Sequence, residues 1–88
     1  MNRDGLIIDE NGTKYWYLNG KLHREDGPAI EYTDGNKFWC LNGKLHRTDG
    51  PACEYFGGYK QWYINNESLS QEEYLHRTRK KKLELLIL

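Results

Sequence analysis

Apolar and polar residues alternate along this chain in short runs, and turn-forming residues cut the runs at regular intervals. From Lys37 to Leu41, Lys37, Trp39 and Leu41 fall on one face of an extended strand, with Phe38 and Cys40 on the other, because successive strand side chains point to opposite sides. Asn42-Gly43 then reverses the chain, since both residues tolerate the positive φ of a two-residue hairpin turn. Lys44–Arg47 is predicted to return as the partner strand. Asp49-Gly50-Pro51 forms a loop that sets the proline at a strand entrance, where its missing N–H costs no ladder bond. Ala29–Tyr32 is another short alternating run, closed by Thr33-Asp34-Gly35-Asn36, a turn that needs positive φ at its glycine. The expected product is an antiparallel meander.

The pattern returns in step. Trp16, Trp39 and Trp62 stand 23 residues apart. The segment from Tyr17 to Tyr32 recurs as Cys40 to Tyr55 with only three substitutions, Tyr17/Cys40, Glu25/Thr48 and Ile30/Cys53. A period of this length marks an array in which each unit buries its apolar face against the next. At the start, Asp4-Gly5-Leu6-Ile7-Ile8-Asp9 aligns with Asp26-Gly27-Pro28-Ala29-Ile30-Glu31, with one residue missing before Asn11-Gly12. At the end, the unit opened by Trp62 lacks the Gly, the His and the Asp-Gly-Pro, and the array stops.

After Leu69 the chemistry changes. Ser70-Gln71-Glu72-Glu73 reads as a capping box, with Leu69 and Tyr74 placed as a hydrophobic staple around it. A helix is therefore expected to start at Ser70 and to run to about Leu86. Leu75, Leu83, Leu86 and Ile87 are its candidates to face the sheet. The fold class is mainly β, an antiparallel meander of hairpin repeats over residues 4–69, followed by a C-terminal helix and apolar tail over 70–88, together one domain of 1–88.

The chain has 88 residues, which leaves little room for a deep catalytic cavity. Aromatic residues make up 14% of it against 38% for all hydrophobic ones, so the core and any contact surface are built largely from Trp and Tyr. Net charge is zero, but residues 1–74 hold 8 Lys/Arg against 12 Asp/Glu, whereas 75–88 hold 5 against 1. With no signal peptide or long apolar span, and with two cysteines at positions that other units give to Tyr and Ile, free thiols and a cytoplasmic location are expected.

These residues carry a likeness. The stretch Trp-Tyr-Leu-Asn-Gly-Lys-Leu-His-Arg-Glu-Asp-Gly-Pro-Ala at residues 16–29, repeated over 39–52 with its first variation at Cys40, resembles a variant of the MORN-type repeats, and the likeness covers roughly residues 4–69. Similar repeats occur in phage, giant-virus and bacterial proteins. The resemblance implies a β-hairpin array used for protein or membrane contacts, with no catalytic residues and no cofactor. For a small phage-like protein of this kind it implies an inhibitor or adaptor that acts on a host or host-defence protein.

Weighed one by one, the candidate residues sort into structural and contact roles. Trp16, Trp39 and Trp62 are expected in the core. His23, Asp26, His46 and Asp49 are expected to make loop hydrogen bonds, since a catalytic pair is seldom duplicated in register along an array. Zinc is not expected from Cys40, Cys53, His23 and His46, because the close pairings of a structural site are lacking. Phosphate-loop and nucleophile-elbow signatures are absent too, and the glycines are assigned to turns. Tyr15, Tyr17, Phe38 and Tyr63 alternate away from the tryptophans and would form an exposed contact row for a protein partner if the helix covers the Trp face. The basic run Arg77, Arg79, Lys80, Lys81 and Lys82 offers two alternatives, a nucleic acid or a membrane surface. Leu83, Leu86 and Ile87 offer a homodimer contact.

Overall fold

The structure is a computed structural model that describes residues 4–78. It is mainly β: an antiparallel meander followed by a helix. The strands are β1 (Gly5–Ile8), β2 (Lys14–Leu18), β3 (Lys21–Leu22), β4 (Ile30–Glu31), β5 (Lys37–Phe38), β6 (Cys40–Leu41), β7 (Lys44–Leu45), β8 (Cys53–Glu54), β9 (Lys60–Ile64) and β10 (Glu67–Leu69). Residues 71–78 form the helix α1. The main sheet runs β1-β2-β4-β5-β8-β9-β10, with β3 also paired to β2, while β6 and β7 pair with each other.

The turns follow from their residues. Asn42 and Gly43 hold φ of 53° and 77°, the mirror-image turn whose twist matches that of the flanking strands. In the last unit Asn65 and Asn66 take its place, and the Asn66 Oδ1 accepts the Leu45 N–H at 2.7 Å. The expected strand Lys37–Leu41 is broken at Trp39 into β5 and β6, although Trp39 still donates to Ala52 O and accepts from the His46 N–H. The returning strand Lys44–Arg47 is shorter than expected, ending at Leu45. There Arg47 N leaves its own unit to donate to Tyr63 O, as Arg24 N does to Cys40 O.

The first unit corrects the sequence alignment. Ile7 pairs with Tyr15 as Ile30 pairs with Phe38, so Ile7, not Ile8, corresponds to Ile30, and no residue is missing. The resemblance of Asp4-Gly5 to Asp26-Gly27 misleads by one position, and a one-residue slip exchanges the two faces of a strand. Ile8 accordingly points to solvent, and Asp4 instead accepts the Gly20 N–H at 3.2 Å through its carboxylate.

The core is thin, since beside the main sheet there is only the two-stranded β6–β7 ribbon and one short helix among the described residues. Ala29, Ile30, Cys40, Ala52, Cys53, Leu69 and Tyr74 are its buried apolar residues, and among the described residues no large side chain is fully enclosed. Register sets Leu69 directly beside Trp62 and Cys53 beside Phe38, so the indoles and the other aromatic rings line opposite faces. Ala29 donates to Phe38 O and accepts from Trp16 N, so its backbone lies between the Trp16 strand and the Phe38–Trp39 segment.

The capping box forms as expected. Glu73 accepts the Ser70 N–H and Ser70 Oγ accepts the Glu73 N–H, each at 3.1 Å, and both staple residues are buried. Arg77 ties α1 to β10 by a two-pronged bond to Glu67 at 3.2 and 3.0 Å. The expected run of the helix to Leu86, its contacts at Leu83, Leu86 and Ile87, and the basic residues Arg79, Lys80, Lys81 and Lys82 lie outside the described residues.

Candidate interaction surface

Each arginine of the repeated segment lies flat on an indole. The Arg24 guanidinium carbon stands 3.8 Å from the Trp16 ring centroid, and Arg47 stands the same distance from Trp39. The guanidinium is then held by bonds on its edge. Arg24 donates to Asp26 at 3.0 Å, Pro28 O at 3.2 Å and Glu31 at 3.0 Å, while Arg47 donates to Asp49, Pro51 O and Glu54 at 2.9, 3.0 and 2.9 Å. A planar cation with a fork of donors suits this double duty, because its face stacks while its edge bonds.

The Asp-Gly-Pro loop closes over the other side of that plane. A methyl group at Gly27 would stand 2.9 Å from the Arg24 guanidinium carbon, and one at Gly50 would stand 2.8 Å from that of Arg47. Neither glycine holds a positive φ, so neither is there for left-handed backbone. They leave room for an arginine that four contacts already pin.

The histidines join one unit to the next. The Asn42 N–H donates to His23 Nδ1 at 2.9 Å and the Asn65 N–H to His46 Nδ1 at 3.1 Å. A backbone N–H can only donate, so Nδ1 is the acceptor and the ring proton sits on Nε2. His23, His46, Asp26 and Asp49 thus all take structural hydrogen bonds. Among the described residues, no group of three His, Cys, Asp or Glu side chains stands close enough to hold a metal. Cys40 and Cys53 are free and buried. Burial, with Cys53 nearby, pushes the Cys40 thiol up to about 11.

Tyr15, Tyr17, Phe38 and Tyr63 do lie opposite the tryptophans, but the exposed row expected of them is not there. All four are half-buried. Phe38 sits edge-on between Tyr32 and Tyr55, with centroids 5.4 and 5.6 Å away, and Tyr15 stacks on Tyr17 at 6.4 Å. The tyrosines that follow Glu31 and Glu54 fold over the strand, and the rings shield one another. Nor does the helix cover the Trp face as a whole: α1 reaches Trp62 alone through Tyr74, and arginines cover the other two.

The rings that face solvent are Phe56, 81% exposed, and Tyr59, 65% exposed, at the turn between β8 and β9. The turn is fixed from below. Phe56 N donates to Asn36 Oδ1 at 2.7 Å, the Phe56 ring lies over Gly35, and Tyr59 packs on Tyr55 with centroids 5.5 Å apart. The repeat itself held the signal that sequence reasoning missed, since Phe56 and Tyr59 occupy the places of Thr33 and Asn36. Aromatic residues where an equivalent turn is polar are not required by the turn. A second exposed apolar group, Leu6, Ile8 and Leu18, lies at the β1 end of the sheet.

No family model matches the chain, and no curated protein or solved structure matches it. No helix among the described residues is long and apolar enough to cross a membrane.

Proposed function

We propose that this chain is a protein-interaction module, a small inhibitor or adaptor that acts by occupying a surface of a host protein, with no chemistry of its own. The likeness of its repeats to MORN-type hairpin arrays supports this reading. The observation that carries it is the turn at residues 55–59, where two large rings stand in solvent on a backbone already held by a neighbouring turn. Aromatic anchors carry much of the energy at protein interfaces, and a contact made by a fixed turn costs little ordering on binding. The arginines and histidines of the repeated segment, in contrast, are committed to bonds inside the array.

The test is binding of a purified partner, captured from the host with the intact chain and then titrated against the wild type and a Phe56→Ala/Tyr59→Ala double variant. Both side chains are exposed, so the variant should keep the circular dichroism of the parent. Its affinity should fall by about a hundredfold, the effect of losing one strong anchor. Unchanged affinity in the folded variant would remove the turn as the contact surface, and a chain that captures no partner at all would remove the reading itself.

A further inference from the structure

The 23-residue spacing builds one concavity twice, and the described residues fill only one of the two. In the second, between the Arg47–Gly50 loop and Trp62, Tyr74 enters from α1. Its hydroxyl donates to Arg47 O at 2.8 Å and accepts the Gly50 N–H at 3.0 Å, and its ring lies 6.4 Å from the indole, centroid to centroid. The corresponding groups of the first are Arg24 O, Gly27 N and Trp39. Arg24, Gly27 and Trp39 line an open groove of about 490 Å³. Neither Arg24 O nor Gly27 N makes a hydrogen bond among the described residues. Their loop is nonetheless held as the filled one is, by the same arginine bonds to Asp26 and Pro28 O, so donor and acceptor are presented alike in both places.

We infer that the open groove receives the side chain of a tyrosine from a partner polypeptide, its hydroxyl bridging Gly27 N–H and Arg24 O and its ring set against Trp39. The site needs a single atom that accepts from one backbone group and donates to the other, at the end of a flat apolar body; a phenol has both. Arg47 already covers one face of Trp39, so the incoming ring meets the remaining surface of the indole and Leu41. Residues 79–88 contain no tyrosine, so the tail of this chain does not supply one.

The two concavities differ at their rims, and the difference selects the partner. Glu25 stands where the filled site has Thr48, and with Asp26 it lines the groove with carboxylates that are 83% and 87% exposed. Lysine or arginine next to the tyrosine suits such a rim. This assignment rests on the reading of the chain as a protein-binding module, but it concerns a different place from the turn at 55–59.

The experiment is a titration of the full-length, nitrogen-15-labelled chain with a blocked peptide, Ala-Lys-Tyr-Lys-Ala, and with the same peptide carrying Phe for Tyr. The tyrosine peptide should shift the Gly27 amide and the Trp39 indole N–H saturably. The phenylalanine peptide should bind about tenfold more weakly, as expected for a lost pair of neutral hydrogen bonds. Glu25→Lys, at an exposed position that takes no part in the arginine bonds, should weaken the tyrosine peptide about threefold through charge reversal. Equal affinity of the two peptides, or shifts that spare Gly27 and Trp39, would overturn the assignment. So would the same shifts on raising protein concentration alone, which would give the groove to Tyr59 of a second copy. A partner that needs Phe56 but ignores the groove would end this assignment and leave the functional reading intact. Failure to capture any partner would end the reading without touching the titration.

Discussion

Trp39 and Trp62 hold the same place in successive units, yet one is covered by Arg47 and the other by Tyr74. The interior solution is a brace that points forward. Arg47 stacks on its own indole and bonds to Glu54 in β8, the strand laid between this unit and the next. Among the described residues no strand follows β10 to brace against, and position 70 is the serine that caps a helix. The terminal solution therefore points backward, with a ring on Trp62 and a hydroxyl bonded to the loop before it. An array of this kind ends by replacing a charge that reaches for the next unit with an apolar side chain that reaches for the last.

The comparison makes Tyr74 the most costly residue to remove. Tyr74→Ala takes away a buried ring, one half of the staple and both bonds to the 47–50 loop, and it should cost about 3–5 kcal/mol by urea titration. That is a large share of the ~5–15 kcal/mol that holds a domain together. The Trp62 fluorescence should shift to the red as the indole gains water. A loss below about 1 kcal/mol would mean that α1 is an appendage and that Trp62 needs no cover.

Next in size are the braces. Arg24→Ala and Arg47→Ala each remove a stacked cation and its charge-assisted bonds, with a cost of about 2–3 kcal/mol. The two costs should agree within ~0.5 kcal/mol, because the partners are the same at nearly the same distances. Lysine at either position should recover little, since an ammonium has neither the flat face nor the fork. Costs that differ by more than about 1 kcal/mol would show that the two units are not energetically alike.

What could be read from the sequence was what is local in it. Asn42-Gly43, Thr33-Asp34-Gly35 and Ser70-to-Glu73 act over a few residues, through φ and through side chains that reach their own backbone, and each forms as expected. Which residues lie opposite the tryptophans was also legible, because strand alternation decides it. Exposure was not. Whether Phe38 is open depends on Tyr32 and Tyr55 turning over it from neighbouring strands, and alternation says nothing of that. The arginine on the indole was missed for a similar reason. Arg24 comes eight positions after Trp16, and only the hairpin between them brings the two together. Gly27 was assigned to a turn because its real constraint, the guanidinium beneath it, is a tertiary contact.

Smaller effects sharpen the account of the C-terminal cap. Tyr74→Phe keeps the ring and leaves Gly50 N and Arg47 O without the hydroxyl, for a cost of about 1–2 kcal/mol, well below that of the alanine variant. Near-equal losses would place the whole value of Tyr74 in its hydroxyl, and no loss would place it all in the ring.

The smallest effect is one of pH. Hydrogen bonding to the Ser70 backbone N–H, and then to the Ser70 side chain, holds the Glu73 carboxyl below its ordinary 4.5. A carboxylate whose value is lowered by folding stabilises the folded state above the unfolded value, and that support fades as pH falls through the folded one. The helical circular dichroism of the wild type should therefore decline as pH drops below 4.5, in part through Glu73. Other carboxylates titrate in the same range, so the quantity to measure is the difference between wild type and Glu73→Gln, whose amide still accepts the Ser70 N–H at every pH. That difference should be largest near neutral pH and shrink towards zero in acid. A difference that stays constant from neutral to acid would mean that the charge on Glu73 adds nothing to the cap, whose support then comes from its hydrogen bond alone.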